Sequence, residues 1–206
     1  MKNVLKQTWW DDNLNSKMDT FLNWIGSSDA ESKVYFRNFL KTNKITFDKC
    51  LDVGCGPATE FFGFKNDNIN IEYTGVDSSL VLNEINIKKS IPMIQAEGHS
   101  IPVDNNSYDL VFSRHVLEHQ LAFEPILEEM IRVSSNLATH IFFIKPTDLP
   151  QEFVGIELQQ ENLYHNRYNI KDIENFLMSN KKVKSFEWRE INELENILLV
   201  WVKNGG

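Results

Sequence analysis

The chain has 206 residues, of which 42% are hydrophobic, and 21 Lys and Arg against 29 Asp and Glu give a net charge of −8. A chain of this size and apolar content can form one well-packed domain with a modest addition. The acidic balance disfavours a protein that follows the phosphate backbone of DNA or RNA, so we expect no nucleic acid partner.

The sequence contains two cysteines, Cys50 and Cys55. They are too close together, and point too differently, to form a stabilising disulfide, which is typical of a protein from a reducing compartment. No signal segment is evident at the N-terminus, and no stretch approaches about 18 consecutive apolar residues. We therefore expect a soluble cytoplasmic protein without a membrane span.

The N-terminal part of the chain, residues 1–41, is predicted to form a helical cap. Residues 12–41 have the apolar spacing of two short helices separated by a break at residues 26–29. The first helix places five apolar residues on one face: Leu14, Met18, Phe21, Leu22 and Ile25. The second continues with Val34, Phe36, Phe39 and Leu40.

The remaining residues, 42–206, are predicted to form an α/β core. Strands are predicted at "KCLDV", "EYTGV", "PMIQA", "YDLVFS" and "HIFFIK". A helix begins within "PATEFFGF", and two more are predicted over Ser79–Ile87 and Leu121–Val133. Alternation of strands and helices on this scale indicates a parallel sheet that is covered on both faces.

The C-terminal part departs from this alternation. After a helix over Asn169–Asn180, two strands, "KSFEWRE" and "NILLVWVK", follow with only a short connection, and such strands can pair only as an antiparallel hairpin. We therefore predict a Rossmann-like, doubly wound, mostly parallel sheet with an antiparallel C-terminal hairpin strand and a helical N-terminal cap, in a single domain of residues 1–206. The long segment Pro146–Tyr168 follows a strand end, where open α/β sheets bind ligands.

A glycine-rich turn, "LDVGCGPAT", follows the first predicted strand. Gly54 and Gly56 permit positive φ angles and let a ligand approach the backbone, while the new helix offers unpaired N–H groups. The next strand ends in Asp77, the position at which doubly wound folds hold a ribose diol. Two simpler interpretations are a plain tight turn and a helix cap by Asp77, for which Ser78 and Ser79 compete. The complete strand, turn, helix, strand and acid unit favours nucleotide binding.

The turn does not match the nicotinamide fingerprint G-x-G-x-x-G, because Thr59 stands where that pattern requires a small residue. The third small residue is instead Ala58. Together with the C-terminal hairpin, this argues against a nicotinamide-dependent oxidoreductase, which remains the less favoured alternative.

Four motifs in chain order make the sequence resemble a class I S-adenosylmethionine-dependent methyltransferase of the small-molecule, type 11-like branch. They are "LDVGCGPAT", "YTGVDSS", "AEGHSIPVDNNSYDLVFSRHVLEH" and "RVSSNLATHIFFIKP", and the resemblance extends over residues 33–203. It implies S-adenosyl-L-methionine as cofactor and methyl transfer by in-line displacement. It also implies a set of cofactor-binding residues: Asp52, Gly54, Cys55, Gly56, Asp77, Ser78, Glu97, Gly98 and Arg114.

Individual roles follow from the same resemblance. Asp77 would accept both ribose hydroxyls, Glu97 would accept from the adenine amino group beside the Gly98 N–H, and the Arg114 carbonyl would meet the cofactor's amino group. Asp52 and the glycines would line the methionine part. The sequence departs from the family pattern at Glu97, where Asp is usual, and at "SSNLATH", which replaces the usual turn before the fifth strand.

A general base assists methyl transfer only when the acceptor must lose a proton. We take His115 and His165 as the candidate catalytic residues, since the family resemblance gives His119 a structural role more often. Arg37 could pair with the cofactor carboxylate or lie on a solvated helix face. Trp9 and Trp10 either form a lid over the acceptor pocket or pack the N-terminal helix onto the core.

The acceptor class is limited by missing motifs. "SRHV" stands after the fourth strand in place of an Asn/Asp-Pro-Pro-Tyr run, and no Pro-Cys nucleophile occurs. These differences exclude the amino-methylating and cytosine-C5 classes of DNA enzyme. We therefore expect a small-molecule methyl acceptor and no metal, with a non-catalytic methyltransferase-like binding subunit as the alternative.

Overall fold

A computed structural model describes residues 11, 28–43, 45, 47–154 and 164–203. Its centre is a seven-stranded sheet with the order β3-β2-β1-β4-β5-β9-β8. The strands are β1 (Lys49–Val53), β2 (Glu72–Asp77), β3 (Met93–Gln95), β4 (Tyr108–Arg114), β5 (Ser134–Phe142), β8 (Val183–Glu190) and β9 (Asn196–Val202). The helices around the sheet are α1 (Glu31–Thr42), α2 (Thr59–Asn66), α3 (Leu80–Lys88), α4 (Glu124–Val133) and α5 (Ile170–Ser179).

The strand directions confirm the predicted fold class. Strands β1 to β5 pair in parallel, β9 pairs antiparallel to β5, and β8 pairs antiparallel to β9. Between β8 and β9 the connection is a short turn, which allows only a hairpin. The strand order reverses direction between β1 and β4, so the C-terminal ends of these two strands border the crevice in which doubly wound folds bind ligands.

Two apolar clusters, one for each group of packed helices, cover the sheet. One contains Leu51 and Val53 of β1 with Leu127 of α4 and Leu177 of α5. The other contains Cys50 of the same strand with side chains of α1 and α2, including Phe36, Phe39, Leu40 and Phe64. Alternate residues of β1 therefore enter different clusters, because successive side chains of a strand point to opposite faces.

Strand β5 corrects one prediction. It begins at Ser134, directly after α4 ends at Val133, so "SSNLATH" is strand and not a loop, and the predicted strand at His140 starts too late. Leu137 to Ile141 pair with β4 on one side and β9 on the other, and Ser134 pairs with Tyr108 of β4. Pairing with neighbouring strands therefore extends the strand to Ser134 despite the weak strand preference of Ser and Asn, since β propensity depends strongly on tertiary context.

The segment Pro146–Tyr168 also has more structure than predicted, because β6 (Glu152–Phe153) and β7 (Asn166–Arg167) pair there as an antiparallel ribbon. In the N-terminal cap, α1 confirms the second predicted helix. The apolar residues of the first predicted helix lie outside the described residues, and so do Trp9 and Trp10. Within the part of the chain that the structure describes, no helix is long and apolar enough to cross a membrane.

Candidate active site

The turn after β1 uses its two glycines for different reasons. Both have positive φ angles, +69° at Gly54 and +54° at Gly56. A Cβ on Gly54 would lie 2.5 Å from Val116 Cγ2, whereas a Cβ on Gly56 would meet no atom within 4 Å. The first glycine is therefore required by close packing and the second by backbone conformation next to open space, which is where a ligand can approach.

Asp77, at the end of β2, holds this turn in place. Its Oδ2 accepts from the Gly56 N–H at 2.8 Å and its Oδ1 from the Ser79 N–H at 2.9 Å. Ser79, not Asp77, caps α3, since its hydroxyl oxygen accepts from the Leu82 N–H at 3.2 Å. Asp77 is only 8% exposed, and this burial raises its pKa to about 6. Each carboxylate oxygen retains acceptor capacity for a ligand hydroxyl.

Asp52, near the end of β1, is a second buried acid. Its Oδ2 accepts from the Tyr73 hydroxyl at 2.7 Å. Burial raises the pKa of Asp52 to about 7, although the Tyr73 hydrogen bond opposes the shift. Tyr73 was missed in the sequence analysis because its only sequence signal is a strand position that an ordinary core aromatic would also occupy.

Lys33 of α1 brings a buried cation to the same region. Its Nζ donates to Thr59 Oγ1 at the beginning of α2. Burial, together with the nearby Arg114 charge, lowers the pKa of Lys33 to about 8, while Glu60 and Asp52 act in the opposite direction. Lys33 was also missed, although it lies one helical turn before Arg37 and therefore on the same helix face.

Arg37 itself corrects an expectation, because it is 4% exposed and does not lie on a solvated face. Its Nη1 is 3.1 Å from Glu60 Oε2 and its Nε is 2.7 Å from Asp67 Oδ2. These ion pairs join α1 to α2, so the Arg37 guanidinium is occupied in holding the two helices together.

The loop after β3 packs across the end of β1. A Cβ on Gly98 would lie 3.3 Å from Val53 Cγ1 and 3.2 Å from Ile126 Cδ1. Glu97 precedes it and is half-buried. The fold thus brings Glu97, Gly98, Asp77 and the glycine turn to one end of the sheet, as the motif order predicts.

At the end of β4, Arg114 and His115 meet a residue that the sequence analysis did not identify. Glu195 lies in the turn between β8 and β9, and its Oε1 is 2.7 Å from His115 Nε2 and 3.7 Å from Arg114 Nη2. Arg114 Nε also donates to Ser32 Oγ of α1 at 2.9 Å. No local signal marks Glu195, because its role depends on β9 pairing with β5.

The histidines predicted to be catalytic gather around Phe143. The ring centroids of His115 and His165 are 5.0 and 5.3 Å from that of Phe143. His119 lies 5.2 Å from His165, and its Nδ1 is 2.9 Å from the Tyr164 carbonyl oxygen. His115 and His165 are therefore brought to one cluster, with His119 beside them.

Two cavities open next to this cluster. One of about 270 Å³ has Phe143, Val154 and Leu194 in its wall, and one of about 370 Å³ is bordered by His119 and Tyr164. Each could hold a small organic group. Within the described residues, no cluster of histidine, cysteine and acidic side chains could hold a metal ion.

Glu118 explains the buried part of the "LEH" motif. Its Oε2 is 3.0 Å from His140 Nε2, and its Oε1 accepts from the Phe143 N–H at 2.6 Å. His140 Nδ1 is 2.6 Å from Ser113 Oγ. This serine, histidine and glutamate chain has the connectivity of a hydrolytic triad. All three residues have zero exposure, so no substrate can reach them and this hydrogen-bonded series has a structural role.

Comparison with known proteins agrees with this geometry. Residues 51–142, from β1 to the end of β5, match the family described as "Methyltransferase domain". The search of curated proteins found no match to the chain.

Several solved structures share the fold. A methyltransferase of Haloferax volcanii, solved with the Trm112 methyltransferase activator, has a TM-score of 0.69 and 12% identity over 96% of this chain and 99% of that one. The YcgJ protein of Bacillus subtilis has a TM-score of 0.59 and 14% identity, over 82% of this chain and 97% of that one. A phosphoethanolamine N-methyltransferase of Haemonchus contortus, with S-adenosylhomocysteine bound, has a TM-score of 0.71 and 13% identity, over 100% of this chain and 62% of that one.

Residues 51–142 match a methyltransferase domain, and the fold and the glycine turn with its acid agree with that match. Within that class, the domain over residues 51–142 is of the class I, type 11-like kind. The family match implies S-adenosyl-L-methionine as the cofactor. The residues present suit it, because the open space at Gly56 adjoins the buried Asp77 carboxylate, which can accept from ribose hydroxyls.

Proposed function

We propose that the protein transfers the methyl group of S-adenosyl-L-methionine to a small-molecule acceptor by in-line displacement, in the crevice at the ends of β1 and β4. The observation that carries this proposal is the space above Gly56, bordered by the Asp77 carboxylate that anchors the glycine turn. Because the sulfonium is already a good leaving group, the protein's main task is to position the two reactants.

The ribose and adenine would be held on the β2 and β3 side of this crevice. Asp77 would accept from the ribose hydroxyls with Ser78 beside it, and Glu97 would accept from the adenine amino group next to the Gly98 backbone. The support for these roles is that Asp77 is fixed by two backbone N–H groups and that Gly98 packs across Val53 at the crevice floor.

The methionine part would lie along β1 and β4. Asp52 and the Arg114 carbonyl would face its ammonium group, while Gly54, Cys55 and Gly56 would provide the backbone surface. An approaching cation favours the ionised form of Asp52, whose pKa burial has raised to about 7. The Cys55 thiol is buried and its pKa is raised by burial, which suits a small packing residue and not a nucleophile.

For the cofactor carboxylate we propose Lys33 in place of Arg37. Arg37 is paired with Glu60 and Asp67, whereas Lys33 lies at the beginning of α2 near Asp52 and Arg114. A carboxylate bound there would be favoured both by the ammonium charge and by the N-terminus of the helix.

A small acceptor is supported by the cavities of about 270 and 370 Å³ beside the histidine cluster, which suit part of a small organic molecule. The net charge of −8 disfavours a nucleic acid acceptor. Two buried free thiols, Cys50 and Cys55, are consistent with a cytoplasmic location. Since one sheet joins β1 to β5 with β8 and β9 of the C-terminal part, we also propose that residues 1–206 form a single domain, with 1–41 as the cap and 42–206 as the core.

Calorimetric titration tests this function. We expect S-adenosyl-L-methionine to bind and NAD not to bind, and Asp77→Ala to weaken cofactor binding by about 1–3 kcal/mol, the scale of lost charge-assisted hydrogen bonds. Asp104→Ala, which removes an exposed acid from the loop before β4, is the matched control. Binding of NAD alone would refute the proposal. Cofactor binding without transfer to any member of a broad acceptor panel would indicate a non-catalytic subunit.

A further inference from the structure

Glu195 is held more firmly than a turn residue on a protein surface needs to be. The Asn192 side chain shapes its turn, because Asn192 Oδ1 accepts from the N–H groups of Leu194 and Glu195 at 2.9 and 2.8 Å. Asn192 Nδ2 also donates to Glu195 Oε2 at 3.1 Å. Hydrogen bonds from His115, Ser32 and Asn192 outweigh burial and lower the pKa of Glu195 to about 2, so it is ionised at neutral pH.

This carboxylate determines the tautomer of His115. An ionised carboxylate can only accept, so His115 Nε2, 2.7 Å from Glu195 Oε1, must carry the hydrogen. Burial lowers the pKa of His115; Arg114 also lowers it, while Glu195 and Glu118 oppose the shift. The imidazole is therefore neutral at pH 7, with its lone pair on Nδ1. A base held by a carboxylate on its other nitrogen is the arrangement that activates nucleophiles.

The backbone of His115 is itself strained. Its φ is +58°, in the left-handed region that non-glycine residues rarely occupy, and its N–H donates to the Ile141 carbonyl at 2.9 Å. The side chain remains 25% exposed. His115 directly follows Arg114, whose carbonyl we have placed at the cofactor's amino group.

The charges around the pair favour one kind of acceptor. The Arg114 guanidinium, 3.7 Å from Glu195 Oε1, keeps a permanent cation beside the dyad. This guanidinium can stabilise negative charge that develops on an acceptor oxygen, while the Glu195 and Glu118 carboxylates favour the imidazolium that forms at His115.

We infer that His115 is the general base for an acceptor hydroxyl and that Glu195 is its positioning residue. This inference rests on the proposed methyl transfer. The acceptor O–H bond breaks and its proton goes to His115 Nδ1, while an oxygen lone pair forms the bond to the methyl carbon. The C–S bond breaks with its electron pair going to the sulfonium sulfur, which leaves a methyl ether, a neutral thioether and an imidazolium that returns its proton to solvent.

NMR of the histidine rings tests the dyad in the cofactor-free protein. In wild type we expect the Nε2–H tautomer at His115, from its ¹⁵N shifts, and in Glu195→Gln a fall in the His115 titration midpoint because the carboxylate charge is lost. Glu193→Gln removes a charge from the same turn and should leave that midpoint in place. An Nδ1–H tautomer in wild type, or an unchanged midpoint in Glu195→Gln, would overturn the inference.

Transfer assays test the acceptor class. The probes are catechol, p-nitrophenol and aliphatic alcohols, each with a matched amine, and single turnover is followed as S-adenosylhomocysteine formation across pH. We expect methylation at oxygen and a fall of about 100-fold or more in the single-turnover rate of His115→Ala. We expect the acid limb of the pH–rate profile to be displaced in Glu195→Gln and partly restored in Glu195→Asp. Methylation of the amines alone, or an unchanged rate in His115→Ala, would overturn it. Retained cofactor affinity in these variants separates such a failure from failure of the proposed methyltransferase function.

Discussion

At the scale of the residue, the site depends on a few charged groups that are kept out of water. Asp52, Asp77 and Lys33 are all buried. Burial raises the pKa of the two acids and lowers the pKa of the lysine, so it favours the neutral form of each side chain. In the proposed binding mode, the ammonium, carboxylate and ribose hydroxyl groups of the cofactor would give each of these residues an opposite charge or a hydrogen-bond donor. Cofactor binding would then offset the cost of burying them.

Lys33→Met tests this at one residue. Since methionine keeps most of the apolar volume but removes the charge, we expect cofactor affinity to fall by about tenfold or more, corresponding to one lost charge-assisted contact. Lys41→Met on the same helix is the control, because Lys41 is exposed. Equal affinities of both variants in calorimetric titration would show that Lys33 does not contact the cofactor.

Sequence patterns could identify the residues at strand ends but not their partners. Asp77 and Gly56 have a fixed spacing after predicted strands, so their proximity follows from the parallel sheet. Tyr73 and Lys33 have no such signal, because their contacts with Asp52 and Thr59 depend on how β2 and α1 pack. Arg37 shows the converse: its charge suggested a ligand, while Glu60 and Asp67 use it to join two helices.

At the scale of the element, the turn from β1 into α2 contains one glycine that matters mainly for stability and one that is proposed to matter mainly for binding. Gly54 lies against Val116, whereas Gly56 borders open space, although both have positive φ angles. The two positions look alike in the sequence motif, and only the position of Val116 beyond β4 makes them different.

The alanine variants of these glycines should therefore have different effects. Gly54→Ala adds a backbone penalty and a clash with Val116, and we expect it to destabilise the protein by on the order of 2–4 kcal/mol. Gly56→Ala adds only the backbone penalty of about 1 kcal/mol. It places a methyl group where the ligand is proposed to approach, so cofactor affinity should fall more in Gly56→Ala than in Gly54→Ala. Chemical denaturation and calorimetry of both variants measure the two effects. The same stability loss in both would contradict the assignment.

At the scale of the whole molecule, the buried acids couple stability to pH. The folded-state pKa values of Asp52 and Asp77, about 7 and about 6, lie above the ordinary value of 3.8. Protonation therefore favours the folded state, and this contribution is lost as the pH rises through both values. Glu195 has the opposite sign, since its pKa of about 2 makes its contribution disappear only in strong acid.

We accordingly expect the free energy of unfolding of the cofactor-free protein to decrease through these two acids between about pH 4, near their ordinary pKa, and about pH 7, near the higher folded-state pKa. Asp52→Asn should flatten this slope and stabilise the protein at the upper end, while weakening cofactor binding. Denaturant titrations across pH measure the slope, with Asp104→Asn as the exposed control. A slope that is identical in wild type and Asp52→Asn would contradict the assigned pKa.

Cofactor binding should respond to the same acids. Because the ligand's ammonium and ribose hydroxyls favour ionised carboxylates, we expect affinity to rise with pH over this range and protons to be released on binding. Calorimetry in two buffers of different ionisation enthalpy measures the number of protons. Proton uptake at about pH 6.5 would show that Asp52 and Asp77 do not face these groups.

The sequence by itself determined the order of strands and helices, the hairpin at the C-terminus and the acids and glycines at the strand ends. These features have local causes: side-chain periodicity, chain direction and the length of each connection. Only the tertiary structure decided that β5 begins at Ser134, that Arg37 pairs with Glu60 and Asp67, and that Glu195 lies 2.7 Å from His115. Each depends on contacts between residues far apart in the chain, where the pairing and packing of whole elements, and not local preference, determine which side chains meet.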